Sequence, residues 1–248
     1  MDQVFDFGLE SMVCLPGIDS RTLGSVPQAT EKRQVMFISR LEPHKGLDIL
    51  IHALSLLIPS PELLVCGPGD SAPYAELARE KGVKATFVEL DDVQKVAELR
   101  RSAVLVHPSL YEGFGLPPLE ALYCGTPVIV NDTPNMRWVL QEDAYYFSSI
   151  EGLAELIRYV IHRNDEVEAR VGHGQKRVAG SLTLNHTCER LWPHIHQTIK
   201  QFLGQQLREH PEEWRQIYDQ EHRRNWAYGS EQSPRWASGP ARFDPTWE

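Results

Sequence analysis

Six short apolar runs punctuate the chain, at 35–38 (VMFI), 63–66 (LLVC), 85–88 (ATFV), 104–106 (VLV), 128–130 (VIV) and 144–147 (AYYF). They are uninterrupted rather than alternating, which predicts strands covered on both faces and hence a mostly parallel sheet wrapped by helices. Between the runs, apolar residues recur at helical spacing. Leu47, Leu50, Ile51, Leu54, Leu57 and Ile58 form one stripe, and Leu153, Leu156, Ile157, Val160 and Ile161 form another; both read as core packing. A third stripe, Leu184, Cys188, Leu191, Trp192, Ile195, Ile199, Phe202 and Leu203, carries Pro193 in its middle. A proline there removes one backbone hydrogen bond and predicts a kink, costing ~3 kcal/mol unless packing offsets it.

The pattern changes after about residue 210. Trp214, Ile217 and Tyr218 suit one more amphipathic helix, and the last stretch has the Pro, Gly and Ser of an extended tail. Four of the six tryptophans lie there, so the tail is expected to anchor to a surface through its aromatics, with disorder as the alternative.

At 248 residues the chain suffices for one α/β domain and is too short for two full Rossmann-like halves. Its net charge of −9, from 34 acidic residues against 25 Lys and Arg, argues against a nucleic-acid or anionic-membrane partner. No apolar stretch reaches the ~18 residues of a membrane span and no signal peptide is visible, which points to the cytoplasm. The four cysteines show no CxxC spacing, sit mostly in apolar runs and read as reduced core thiols, paired disulfides or zinc being the other reading. The ten histidines include no HExxH, and His194 and His196 point to different sides of a helix, so no metal site is expected.

The densest chemistry lies at residues 112–120, EGFGLPPLE. An apolar run ending in His107, Pro108 and Ser109 precedes it; Leu119, Ala121, Leu122 and Tyr123 continue as a short helix closed by Gly125. Strand, glycine turn and helix start together aim backbone N–H groups and a positive helix end at one place, which suits a phosphate. Glu112 and Glu120 flank that place. A carboxylate beside an anion pocket is electrostatically awkward unless ligand hydroxyls donate to it, and a nucleotide-sugar has both phosphates and hydroxyls.

The segment LVHPSLYEGFGLPPLEALYCGTPVIV resembles the donor site of retaining glycosyltransferases of family 4, which have the GT-B fold. LPGID at 15–19, ISRLEPHKG at 38–46, LLVCGPGD at 63–70 and DAYYFSSIEGLAELI at 143–157 follow in that family's order. The resemblance covers roughly residues 12–205. It implies an α/β fold with a doubly wound, mostly parallel, Rossmann-like sheet, one half of a GT-B fold, followed by a helical and extended tail. In that division residues 1–14 are the remnant of a missing N-terminal domain and its linker, 15–205 bind the nucleotide-sugar, and 206–248 hold an amphipathic helix and an aromatic-rich tail. A bend at Pro193 would mark the crossing back to the absent half, two short helices meeting at a kink being the other reading.

The resemblance also distributes roles. Arg40 and Lys45 would hold the donor pyrophosphate and offset charge on the leaving nucleotide without a metal or other cofactor. At an effective dielectric near 20, each such charge pair is worth ~4 kcal/mol before desolvation. Gly67 and Gly69 would border sugar and phosphates, a plain tight turn being the other reading of GPG. Glu112 would contact the transferred sugar, the backbone of Gly113, Phe114, Gly115 and Leu116 would face phosphate and sugar, and Glu120 would accept both ribose hydroxyls. Ser109 and Tyr111 are weaker candidates for the pocket wall. Glu89 stands where the family often has glycine near the nucleotide base, which leaves the choice between a UDP- and a GDP-sugar open.

The expected activity is hexose transfer with retention of anomeric configuration, this chain supplying the donor half and nearly inactive without the acceptor half. No activated Ser, Cys or Lys arrangement is present, consistent with attack without an enzymatic nucleophile. The alternative is a non-catalytic nucleotide-sugar-binding subunit that pairs with a separate half; a GT-B-fold epimerase fits the motifs poorly. The absent half, or a partner chain in its place, would also carry any attachment to a membrane surface.

Overall fold

The computed structural model describes residues 14–27 and 34–209, with the side chains of 203–209 excluded. All but Cys14 of the expected domain remnant at 1–14, the helix around Trp214 and the aromatic tail lie outside the described residues. The chain divides into two compact units at Arg190 and Leu191, and the sheet and candidate site belong to the first.

Six strands form one sheet: β1 (Gln34–Ile38), β2 (Leu63–Cys66), β3 (Ala85–Val88), β4 (Ser102–His107), β5 (Val128–Asn131) and β6 (Tyr145–Phe147). Each falls on one of the apolar runs. Their order is β3-β2-β1-β4-β5-β6 and every pairing is parallel, the doubly wound Rossmann-like arrangement. Among the described residues nine α-helices precede, connect or follow the strands: α1 (Ser20–Gly24), α2 (Leu47–Ser55), α3 (Ala72–Glu80), α4 (Asp92–Arg101), α5 (Leu116–Tyr123), α6 (Pro134–Leu140), α7 (Ile150–Ile161), α8 (Asp165–Ser181) and α9 (Leu184–Glu209).

Alternate residues of each strand feed two cores. Val35 and Phe37 of β1 face a cluster with α2 and α7, while Met36 and Ile38 face one with α4, α5 and α6. Helix starts follow local chemistry: Asp91 and Gln94 form a capping box on α4, and Asn164 caps α8. Gly174 is buried in α8 where an added Cβ would sit 3.0 Å from both Leu122 and Asp143, so its lack of a side chain lets α8 approach α5. Asp143 is buried and held by His173 and Arg177 of α8.

Four expectations change. Ile58 is 97% exposed, because α2 ends at Ser55 and only Leu57 of the residues beyond it in the stripe stays buried. β3 is only partly buried, since it lies at the sheet edge. Pro193 lies inside α9, which runs on from Leu184 to Glu209, so two separate short helices are not formed. Cys188, on α9, is exposed, unlike the buried Cys66 and Cys124.

The segment LPGID is fixed to the α8–α9 junction. Ile18 N–H donates to Leu182 O and Leu184 N–H to Ile18 O, both at 2.9 Å, and a Cβ on Gly17 would collide with the Thr183 backbone. Among the described residues no helix is long and apolar enough to cross a membrane.

Candidate active site

The chain leaves β1 toward β2 on one side of the sheet, whereas β4 lies on the other. This reversal opens a crevice at the carboxyl ends of β1 and β4, the place where open α/β sheets bind ligands. Two loops close over it. After β1, a 3-10 turn at Pro43–Lys45 ends in Gly46 with φ 72°. A Cβ there would sit 2.5 Å from Pro108 O, so glycine permits this loop to meet the one after β4. Leu110 N–H donates to His44 O at 2.9 Å, tying the two together.

That closure brings Lys45 to Glu112. Lys45 Nζ lies 2.6 Å from Glu112 Oε1, and the same oxygen accepts from Ser109 Oγ and His107 Nε2, each at 3.0 Å. Lys45, Ser109 and His107 are buried. Burial works against the Glu112 charge, but the hydrogen bonds from His107 and Lys45 outweigh it and lower its pKa from 4.5 to about 2. Asn135 of α6 donates to the Glu112 and Gly113 carbonyls at 2.8 and 3.0 Å, fixing the backbone of this turn.

Past Glu112 the chain reaches Gly115, whose φ of 83° starts α5 without a side-chain cap. Pro117 and Pro118 follow in the first turn and have no N–H to offer. The N–H groups from Gly113 to Leu116 donate to no backbone carbonyl among the described residues. They are available to an anion at the positive end of α5. Phe114 packs on the core and Leu116 is exposed.

Glu120 lies one turn into α5. Lys95 of α4 spans its carboxylate, 3.3 Å from Oε1 and 3.2 Å from Oε2, with Asp92 3.4 Å from the same ammonium. Burial raises the Glu120 pKa above the ordinary carboxylate value in spite of Lys95. On the β2 side, Gly67 and Gly69 have φ of 148° and 131°. A Cβ on Gly67 would strike Ser39 O, and one on Gly69 would come within 2.8 Å of the Leu41 side chain. The GPG turn therefore packs against the loop that carries Arg40, and Leu41 N–H donates to Pro68 O at 2.9 Å.

Lys45, Glu112 and Ser109 thus meet, with the 113–116 backbone beside them in sequence. Arg40 does not join them: it follows the end of β1 at Ile38, is 66% exposed and pairs with Glu42 at 3.2 Å. Tyr111 projects into solvent. His107, Lys95 and Asn135 are additions. A histidine closing an otherwise apolar strand was the visible signal for His107, whereas Lys95 and Asn135 depend on which helices the sheet order brings near.

Residues 22–177 match the family described as glycosyl transferases group 1. The chain belongs to this family. Group 1 glycosyltransferases similar to it include an uncharacterized glycosyltransferase of Methanocaldococcus jannaschii, 31% identical over 144 residues. Another is the phosphatidyl-myo-inositol mannosyltransferase of Mycolicibacterium smegmatis, 31% identical over 150 residues. Each alignment spans 56% of this chain but only 33% and 39% of those proteins, so the aligned part of this chain corresponds to well under half of each. Its fold matches that of sucrose-phosphate synthase from Thermosynechococcus elongatus, with TM-score 0.63, 23% identity, and 75% of this chain and 50% of that one covered. It also matches Anabaena HepE, solved in complex with UDP and glucose, with TM-score 0.65, 17% identity, and 75% and 56% covered. The sheet is thus the Rossmann-like α/β layer found in GT-B glycosyltransferases.

Proposed function

We propose that this group 1 glycosyltransferase binds a UDP- or GDP-hexose at the β1/β4 crevice and supplies the donor half of a transfer that retains anomeric configuration. The observation that carries this reading is the convergence of Lys45 and Ser109 on one oxygen of Glu112, followed in the chain by four backbone N–H groups that donate to no carbonyl among the described residues. An ammonium has three hydrogens; one reaches Glu112, and the others are free to meet phosphate oxygens. The N–H groups from Gly113 to Leu116 and the positive end of α5 take the remaining diphosphate charge.

Charge develops on the diphosphate as the glycosidic bond breaks, and fixed donors aimed there stabilise that state most. Arg40 joins by leaving Glu42, a surface pair of small worth. No metal enters this scheme, because cationic side chains and the helix end serve instead. Glu112 accepts a sugar hydroxyl and Glu120 the ribose pair, once the ribose displaces Lys95. Gly67 and Gly69 keep the backbone near the phosphates. The acceptor and the groups beside it come from an N-terminal half, or from a partner chain. The protein acts in the cytoplasm, and any contact with a membrane surface is made through that other half.

Titration with UDP, GDP and ADP, followed by a hexose-transfer assay with a candidate N-terminal half, tests this. Saturable binding of one diphosphate and transfer with the corresponding sugar support it; no binding of any of the three ends it. Binding without transfer under every pairing would instead mean a binding subunit.

A further inference from the structure

Among the described residues, the Glu112 carboxylate receives all its hydrogen bonds on one oxygen. Three donors, Lys45, His107 and Ser109, end on Oε1, and among the described residues none reaches Oε2. A carboxylate oxygen has two lone pairs, so three donors saturate Oε1 and leave Oε2 as the acceptor for a ligand. The three donors differ in stiffness. Lys45 sits at the end of a four-carbon stem, and Ser109 is a hydroxyl that rotates. His107 is the last residue of β4, paired with Val130 of β5, and its ring is 2% exposed. It is the donor anchored by the sheet itself.

The ring has a second distinctive feature. Its Nε2 faces a carboxylate and therefore carries the hydrogen, while Nδ1 is buried with no partner among the described residues. Buried polar atoms are nearly always bonded. An imidazole at this position gives up one good ring contact and keeps the other, the bond to Glu112.

We propose that His107 is a positioning residue that fixes the rotation of the Glu112 carboxylate, so that Oε2 is presented to a hydroxyl of the transferred sugar. This rests on the donor-site reading above and adds a residue it did not need. It makes recognition of the sugar separable from recognition of the diphosphate, since His107 touches Glu112 and not the anion seat. With the donor removed, Oε1 retains Lys45 and Ser109, whose flexible stem and rotating hydroxyl can follow the carboxylate as it turns about its terminal torsion, which has no sharp preference of its own.

The test uses the ratio of dissociation constants for UDP-glucose over UDP, and for GDP-mannose over GDP, in the wild-type chain and three variants. In His107→Gln the amide nitrogen extends about as far as Nε2 and keeps the donor. In His107→Asn the amide is too short to reach, and His107→Leu has no donor. The ratio is expected to rise about tenfold in the Asn and Leu variants, in line with loss of a hydrogen bond to a charged group, and to return to within about twofold of wild type in the Gln variant. Far-UV and near-UV circular dichroism identifies folded variants. An unchanged ratio in any folded variant lacking the donor overturns the inference, as does a Gln variant that behaves like Asn. Wild-type protein that binds neither diphosphate nor its sugar sinks the donor-site reading and the inference with it; wild-type binding with an unmoved ratio sinks the inference alone.

Discussion

Lys45 Nζ and Glu112 Oε1 lie 2.6 Å apart although 67 positions separate them in the chain. The first follows β1 and the second follows β4, so only the adjacency of those two strands brings them together. Both side chains are largely shielded, at 10% and 18% exposure. In such a setting one partner without the other leaves a charge poorly solvated and costs several kcal/mol.

Lys45→Ala is expected to weaken diphosphate binding by ~2 kcal/mol, because it removes a cation from a shielded seat. Arg40→Ala is expected to cost ~1 kcal/mol or less, since Arg40 is exposed and must first leave Glu42. Isothermal titration with UDP and GDP measures both. Equal affinity in Lys45→Ala and wild type would remove this residue from the site.

Acid should act on Glu112. Its pKa falls from 4.5 to about 2 on folding, so between those values the unfolded chain takes up a proton that the folded chain refuses. The group therefore adds stability above about pH 4.5 and loses it as the pH falls toward 2. Urea unfolding of Glu112→Gln across pH 2 to 5 should give a shallower loss of stability than wild type. Parallel curves would mean that the carboxylate is not held ionised.

Glu120 has the opposite tendency, its pKa raised by burial and pulled back by Lys95. In Lys95→Met that restraint is gone, the carboxyl protonates at higher pH, and an acceptor of two ribose hydroxyls is lost as pH falls. Nucleotide affinity in the variant should therefore begin to decline at a higher pH on acidification than it does in wild type. Glu120→Ala should shrink the preference for ribose over 2′-deoxyribose diphosphates about tenfold. A preference that stays constant in this variant would end the ribose assignment.

Two glycines of α8 should respond in opposite directions. Nothing lies within 4 Å of a Cβ at Gly172, whereas Gly174 abuts Leu122 and Asp143. Gly172→Ala is expected to raise stability by ~0.8 kcal/mol through helix propensity. Gly174→Ala should lower it by ~1–3 kcal/mol through overpacking. Thermal unfolding of the pair decides whether α8 docks on α5 as closely as described.

The strands were legible because each is an uninterrupted apolar run, and burial on both faces leaves such runs few other conformations. The glycine turn and the helix start at Leu116 were legible because Gly115 and the two prolines act locally. The partners of the candidate site residues were less so. Glu42 lies two positions from Arg40, but the sequence does not say whether it or the pocket holds the guanidinium, and nothing near Glu120 signals Lys95, which depends on α4 lying beside α5. Ile58 shows the limit of periodicity: the spacing continues past Ser55 while the helix does not. The partial burial of β3 follows from its place at the edge, a property of strand order.

Pro117 and Pro118 give α5 a first turn whose φ values are fixed by the pyrrolidine rings in every state of the chain, folded or not. Two φ angles at the start of α5 are therefore set in advance, and a ligand that docks at this helix end loses no freedom in ordering them. Affinity at this end should be governed by charge and fit, with conformational adjustment confined to the long side chains of Lys45, Arg40 and Lys95.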